Sequence, residues 1–187
     1  MKRSSFIITA LMVLPVTLIA KVKTIVPFRN KKGFKVGAGE SRTGEHLKMK
    51  GITSNTLDLK ISGSDTDGEL AVFEQTGYTA FGGPPLHLHK LQDEWFHVLE
   101  GEYLFQLGEE KFQMKQGDMI FLPRNVQHGF VQLTENARVI VSFLPAGKIE
   151  SFFRATDKWQ SPPSQEEIKR VIEEHDMLIT GPPLKPG

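Results

Sequence analysis

The chain has 187 residues, 39% of them hydrophobic, with 23 basic and 22 acidic side chains and a formal net charge of +1. That length and apolar content suit one domain with a substantial core, while the near balance of charge, with no concentrated basic block, excludes nucleic acid or another polyanion as a partner. Cysteine is absent, which excludes disulfides and any thiolate metal ligand.

Residues 1–20 differ from the rest. Met1-Lys2-Arg3-Ser4-Ser5 is a short basic head, followed by a fifteen-residue apolar run from Phe6 to Ala20 that Pro15 interrupts. This is the layout of a secretory signal peptide, and it is shorter than the roughly 20 residues of a membrane span. The expectation is a secreted or periplasmic protein cleaved after Ala20, with no stable membrane span after processing. Leu18 occupies a position where a small residue is preferred, and the alternative is a buried or exchanged N-terminal segment in a cytoplasmic protein. Cleavage would take Lys2 and Arg3 from the 23 basic side chains and bring the net charge to −1.

Residues 21–53 are basic and glycine-rich, an extended lead-in with short strands. A core over 54–148 then shows period-2 patterning. Leu57, Leu59 and Ile61 alternate with Asp58 and Lys60 as in a half-buried strand. Further strands are predicted at Glu69–Gln75, Glu102–Leu107, Lys111–Met114, Met119–Leu122, His128–Gln132 and Ala137–Leu144. They are broken by Gly108-Glu109-Glu110, Gln116-Gly117-Asp118 and Thr134-Glu135-Asn136. Many short strands with frequent turn signals indicate an all-β sandwich or barrel. Residues 149–187 form a tail with a different period. Ser164 followed by Glu167 reads as a capping box, and Ile168, Val171 and Ile172 recur at helical spacing, so a helix is predicted over Gln165–His175. Gly181-Pro182-Pro183 is expected to end regular structure.

The chemistry concentrates in 82–101 and 117–128. His87 and His89 are two residues apart, so on a strand their side chains leave one face about 6.6 Å apart. Glu94 follows across a Lys90-Leu91-Gln92-Asp93 loop and opens a second run, Glu94 to Leu99, read as the antiparallel partner that returns a carboxylate beside the histidines. With His128 these are three imidazoles and one carboxylate, a mixed set suited to a divalent Mn, Fe, Co, Ni, Cu or Zn ion. Glu94 could be a ligand, a general base, or both in turn. By strand parity His97 lies on the opposite face and is structural; His46 and His175 read as solvent or packing residues. Phe73, Tyr78, Phe96, Phe105, Phe121, Phe130 and Phe143 are mostly core, with a few expected to line a pocket.

Together these residues resemble the paired motifs of the cupin superfamily. His-x-His, Glu and a closing Gly match His87, His89, Glu94 and Gly101; Gly, Pro and His match Gly117, Pro123 and His128. The fifteen residues Glu102 to Gln116 between them have the length of a single hairpin. Three positions depart from the pattern: the opening glycine is Gly82, one residue late, a later glycine is Asn125, and the closing asparagine is Gln132. Asn tolerates the left-handed backbone that a glycine would supply. The run Gly82–Pro85, the residues Asp93-Glu94-Trp95-Phe96 and the C-terminal helix and tail are similar to small single-domain bacterial cupins that are quercetinase-like (quercetin 2,3-dioxygenase-like). The resemblance covers most of 34–185.

It implies a cupin-type jelly-roll β-sandwich or barrel with a short C-terminal helix, and one divalent transition metal held by His87, His89, Glu94 and His128. It also implies a homodimer, and a dioxygenase in which Glu94 acts as base on a flavonol-like or other enol-bearing aromatic molecule, with dioxygen as second substrate. The alternatives are an oxygen-independent metal enzyme (isomerase, decarboxylase or hydrolase) and a non-catalytic cupin that binds a small molecule.

Overall fold

A computed structural model describes residues 32–186, so the expected signal peptide and the start of the lead-in lie outside the described residues. The strands are β1 (His46–Lys48), β2 (Thr56–Ile61), β3 (Ala71–Gly77), β4 (Pro85–His89), β5 (Asp93–Glu100), β6 (Glu102–Leu107), β7 (Glu110–Lys115), β8 (Met119–Leu122), β9 (His128–Gln132) and β10 (Ala137–Leu144). Helices α1 (Ile149–Asp157) and α2 (Gln165–Glu174) and a last strand, β11 (Met177–Pro183), complete the chain. No described helix is long and apolar enough to cross a membrane.

Two antiparallel sheets face each other, one in the order β1-β2-β3-β10-β5-β8 and the other β11-β4-β9-β6-β7. The architecture is an all-β jelly roll. Period-2 patterning explains the burial: Leu57 and Leu59 of β2 point inward, as do Phe73 of β3, Phe96 and Val98 of β5, and Tyr103 and Phe105 of β6, all buried. Between the sheets the rings of Phe96, Phe105 and Phe130 lie 5.0–5.4 Å apart, tilted or edge to face. The predicted single hairpin is β6–β7, turned by Gly108-Glu109, with Gly108 at φ 58° as a two-residue turn requires.

The C-terminal region differs from the sequence expectation in three respects. First, α1 precedes the predicted helix. Its buried Ile149, Phe152, Phe153 and Thr156 have helical spacing, but no side chain caps its start. Second, α2 ends at Glu174, and its capping box is only half formed. Ser164 Oγ accepts from Glu167 N–H at 3.1 Å, while the Glu167 carboxylate accepts from Trp159 Nε1–H at 3.1 Å instead of turning back. Third, Gly181-Pro182-Pro183 does not end regular structure but belongs to β11, an edge strand where proline's missing N–H is tolerated. β11 pairs with β4, placing Met177 opposite His89 and Ile179 opposite His87. α1 packs on β1, α2 packs on β11, and the two helices touch, so the pair bridges one edge of each sheet.

One close approach fixes how β9 passes the segment before β4. A Cβ at Gly83 would lie 1.9 Å from the Phe130 carbonyl oxygen, whereas one at Gly82 would meet nothing nearer than 4.0 Å. The glycine that the fold needs is therefore Gly83, not the motif's Gly82. Replacing Gly83 by Ala should lower stability by about 1–3 kcal/mol through overpacking, and Gly82→Ala should be near neutral. Denaturant titration of both variants checks the ordering, and equal midpoints would contradict it.

Candidate metal centre

His87 and His89 occupy alternate positions on β4, so both side chains leave the same face, and His128 at the start of β9 stands opposite His87 in the β4–β9 pair. Glu94 arrives from the facing sheet. The expectation that β5 is the partner strand of β4 is corrected here: β4 pairs with β9 and β11, and β5 with β10 and β8. The short connection crosses between sheets because its groups are anchored on both sides. Lys90 N–H donates to Asp176 O at 2.8 Å, ahead of β11, while the Gln92 amide donates to Pro145 O and Ala146 O, just after β10. Glu94 thus meets the histidines across the sandwich, and one ligand-capable atom from each of His87, His89, Glu94 and His128 lies within 4.8 Å of all the others.

Hydrogen bonds fix the tautomers. Nδ1 of His87 is 2.8 Å from Pro85 O, and Nδ1 of His128 is 2.9 Å from Val126 O. Nδ1 of His89 is 3.3 Å from Gln92 Oε1. Because Gln92 Nε2 already donates to Pro145 O (3.1 Å) and Ala146 O (2.6 Å), it is the oxygen of that amide that faces His89. Carbonyl oxygens only accept, so each Nδ1 carries a proton, and in the neutral ring that leaves the Nε2 lone pair turned toward the group. Burial, then the neighbouring His128 and His89, pushes His87 down to about 3, and burial with His128 does the same to His89, again to about 3. Both imidazoles are therefore neutral at ordinary pH, the form that binds metal.

Glu94 Oε2 lies 3.1 Å from His128 Nε2 and 3.7 Å from His89 Nε2. The shorter distance is within ion-pair reach, yet His128 Nε2 is buried without a hydrogen-bond partner. In the tautomer that the Nδ1 bond selects, Nε2 and a carboxylate oxygen are both acceptors, so the contact supplies no hydrogen bond. Three lone pairs and a carboxylate gathered out of water repel one another unless a cation lies among them. The donor set therefore fits a divalent transition metal of borderline softness, and the group could hold one.

The supporting residues were not legible as such in the sequence. Gln92 orients His89, and Gly147 makes room for it: a Cβ there would lie 2.9 Å from the Gln92 amide nitrogen. Asn125, at φ 62°, donates its N–H to His89 O at 2.8 Å, so the left-handed conformation expected of it braces a ligand strand. Arg124 binds Asp93 through its backbone N–H and its guanidinium, which holds the Asp93 carboxyl down to about 2 and ties the turn before β9 to the start of β5. His97 lies outside the group, as parity requires. His46 bonds Asp58 at 2.6 Å, and His175 bonds Val171 O and packs on Phe152.

A cavity of about 50 Å³ opens from this corner, walled by Phe96, Phe130 and Phe143 of the sheets, by Phe152, Phe153 and Ile172 of the helices, and by Met49 and Met177. Of the aromatics singled out above, Phe73 and Phe105 are buried in the core without lining the cavity, Phe73 packing behind Phe143 and Phe153, and Tyr78 and Phe121 are exposed. The helix aromatics were not anticipated, because α1 was not.

Comparison with known proteins places this geometry. Residues 80–143 match the Cupin_2 family, described as a cupin domain. An uncharacterised protein of Methanocaldococcus jannaschii is 42% identical over 43 residues, 23% of this chain and 34% of that protein. Quercetin 2,3-dioxygenase of Bacillus subtilis is 28% identical over 118 residues, 62% of this chain and 33% of that enzyme. The chain spans about a third to a half of the length of the curated relatives it matches. Among solved structures, an RmlC-like cupin from Shewanella frigidimarina aligns with a TM-score of 0.50 at 21% identity over 64% of this chain and 96% of that one, a likeness of fold.

If Gln92 orients His89, Gln92→Leu should weaken metal affinity about 10–100-fold with the fold intact, and His97→Ala should leave affinity unchanged. Competition with a metal chelator reads both; a His97→Ala loss as large as that of Gln92→Leu would contradict the assignment.

Proposed function

This chain carries a cupin domain on a jelly roll, and from that premise we propose that it is a metal-dependent enzyme whose substrate is an enol-bearing aromatic molecule, flavonol-like in kind, with dioxygen as second substrate. The observation that carries this reading is the gathering of three imidazoles and one carboxylate at one end of a cavity whose remaining wall is apolar but for Gln75. A site of that form takes an organic molecule by one oxygen and surrounds the remainder with hydrocarbon. A metal bound by His87, His89, Glu94 and His128 would supply Lewis acidity toward the enol oxygen and, if redox-active, a route for dioxygen.

The chain's own residues do the rest. The pinned Nδ1 protons of the three histidines fix the ring orientations, so the coordinating face is formed before ligand arrives. Glu94 is the one titratable group on the cavity wall besides those histidines, and in this reading it takes the enol proton, leaving an enolate. The phenylalanine walls keep water from competing for the reacting carbon. Both atoms of dioxygen end in the organic products as the ring opens, so no outside reductant is required. The likeness to the Bacillus subtilis quercetin 2,3-dioxygenase over 62% of this chain supports the same class.

Metal-loaded protein should consume dioxygen in step with loss of a flavonol, and Glu94→Gln should retain metal on three imidazoles while turnover falls about 10²–10⁴-fold. An oxygen electrode with parallel absorbance and metal analysis tests this. Equal substrate loss under nitrogen would sink the dioxygenase reading, and unchanged turnover in Glu94→Gln would remove the base.

A further inference from the structure

Apart from the metal group, every side chain that lines the cavity is apolar except that of Gln75. Gln75 sits on β3, facing inward and only 2% exposed, with Leu57 on one side and Val139 on the other, both fully buried. A strand row of that kind calls for another hydrophobic residue, and the Gln75 Nε2 hydrogens are buried with no partner. A buried N–H donor left unpaired costs stability that an apolar residue of similar size would not. Nothing in the described core is gained by this amide in return.

Its location says what the donor can serve. Gln75 lies opposite Val139, and Glu94 lies opposite Phe143, four residues further along β10. At about 3.3 Å per residue the two rows are about 13 Å apart along the strands, yet both residues line the same cavity. The cavity is therefore long and narrow, with a coordinating end and a single donor at the far end. At about 50 Å³ it is well below the roughly 150 Å³ that holds a benzene ring. A ring enters by displacing side chains, and Met49 and Met177, flexible thioethers in the wall, are suited to turn aside.

We propose that Gln75 is a substrate-binding residue: its amide N–H donates to an acceptor oxygen on the far end of an elongated ligand whose near end is the enol oxygen at the metal group. This rests on the metal-centre reading above and narrows its substrate class to two-point ligands, longer than one ring, with a distal carbonyl, ether or hydroxyl oxygen. Gln75 would select among enols by what lies remote from the reacting carbon.

The test uses metal-loaded wild type and Gln75→Leu, titrated under nitrogen with 3-hydroxyflavone and with its 4′-hydroxy counterpart, with metal content measured on the same samples. Wild type should bind the 4′-hydroxy compound about tenfold tighter, the effect of one hydrogen bond. Gln75→Leu should lose that preference and bind 3-hydroxyflavone as wild type does. Melting of the metal-free proteins gives an independent readout: Gln75→Leu should melt at or above wild type, because no internal bond is lost. The inference is overturned if the preference survives in Gln75→Leu, if wild type shows none, if neither compound binds, or if the variant melts several degrees lower. With metal present, a surviving preference, no preference in wild type or a lower melting point removes the role of Gln75 alone; if neither compound binds, the flavonol-like substrate reading falls with it, and absence of metal from the wild type removes the metal-centre reading too.

Discussion

Three imidazole protons point away from the cavity, each held by a carbonyl oxygen, and much of the architecture follows from that arrangement. Two of the oxygens, those of Pro85 and Val126, belong to the strand or turn that also carries the histidine, so His87 and His128 are oriented by their own local backbone. The third comes from Gln92, whose amide is in turn clamped by the chain leaving β10. Once the protons are placed, three lone pairs converge on Glu94 from the facing sheet, and the sandwich encloses a group of acceptors with no donor among them. Such a group is costly in isolation. It becomes favourable as a cation site, and an ion held there would tie the two sheets together.

The elements around it serve that enclosure. β11 gives β4 a partner on its outer side and so keeps the His-x-His strand from being an open edge. The α1–α2 pair spans the edges β1 and β11 and contributes Phe152, Phe153 and Ile172 to the cavity wall. Residues that look like loop and tail in composition thus form part of the cavity wall. Lining the rest with phenylalanine lowers the local polarity, which strengthens any charge interaction at the metal group.

How much of this could be read from the sequence depends on the range of the interactions. Strands that alternate over part of their length, such as Glu102–Leu107 and Ala137–Leu144, were legible because period-2 burial is a local property, whereas His128–Gln132 is buried throughout and was legible as a short run between turn signals. The four residues of the site were legible as a set, from spacing and resemblance, but their arrangement was not. A short connection between two strands reads as a hairpin, and only the anchoring of Lys90 and Gln92 on opposite sides sends β5 to the other sheet. α1 has helical spacing without a capping residue, and β11 carries Gly181, Pro182 and Pro183, which mimic a terminator. Gln92 and Gln75 have no sequence signal, since one acts through a carbonyl 53 residues away and the other is conspicuous only by what surrounds it.

The account stands on the buried group being a cation site, and elemental analysis of wild-type protein purified without chelator or added metal tests that most directly. The geometry predicts about one divalent transition ion per chain. No bound ion, before or after reconstitution with Mn, Fe, Co, Ni, Cu or Zn, would contradict it and make the four converging residues a polar feature of the core.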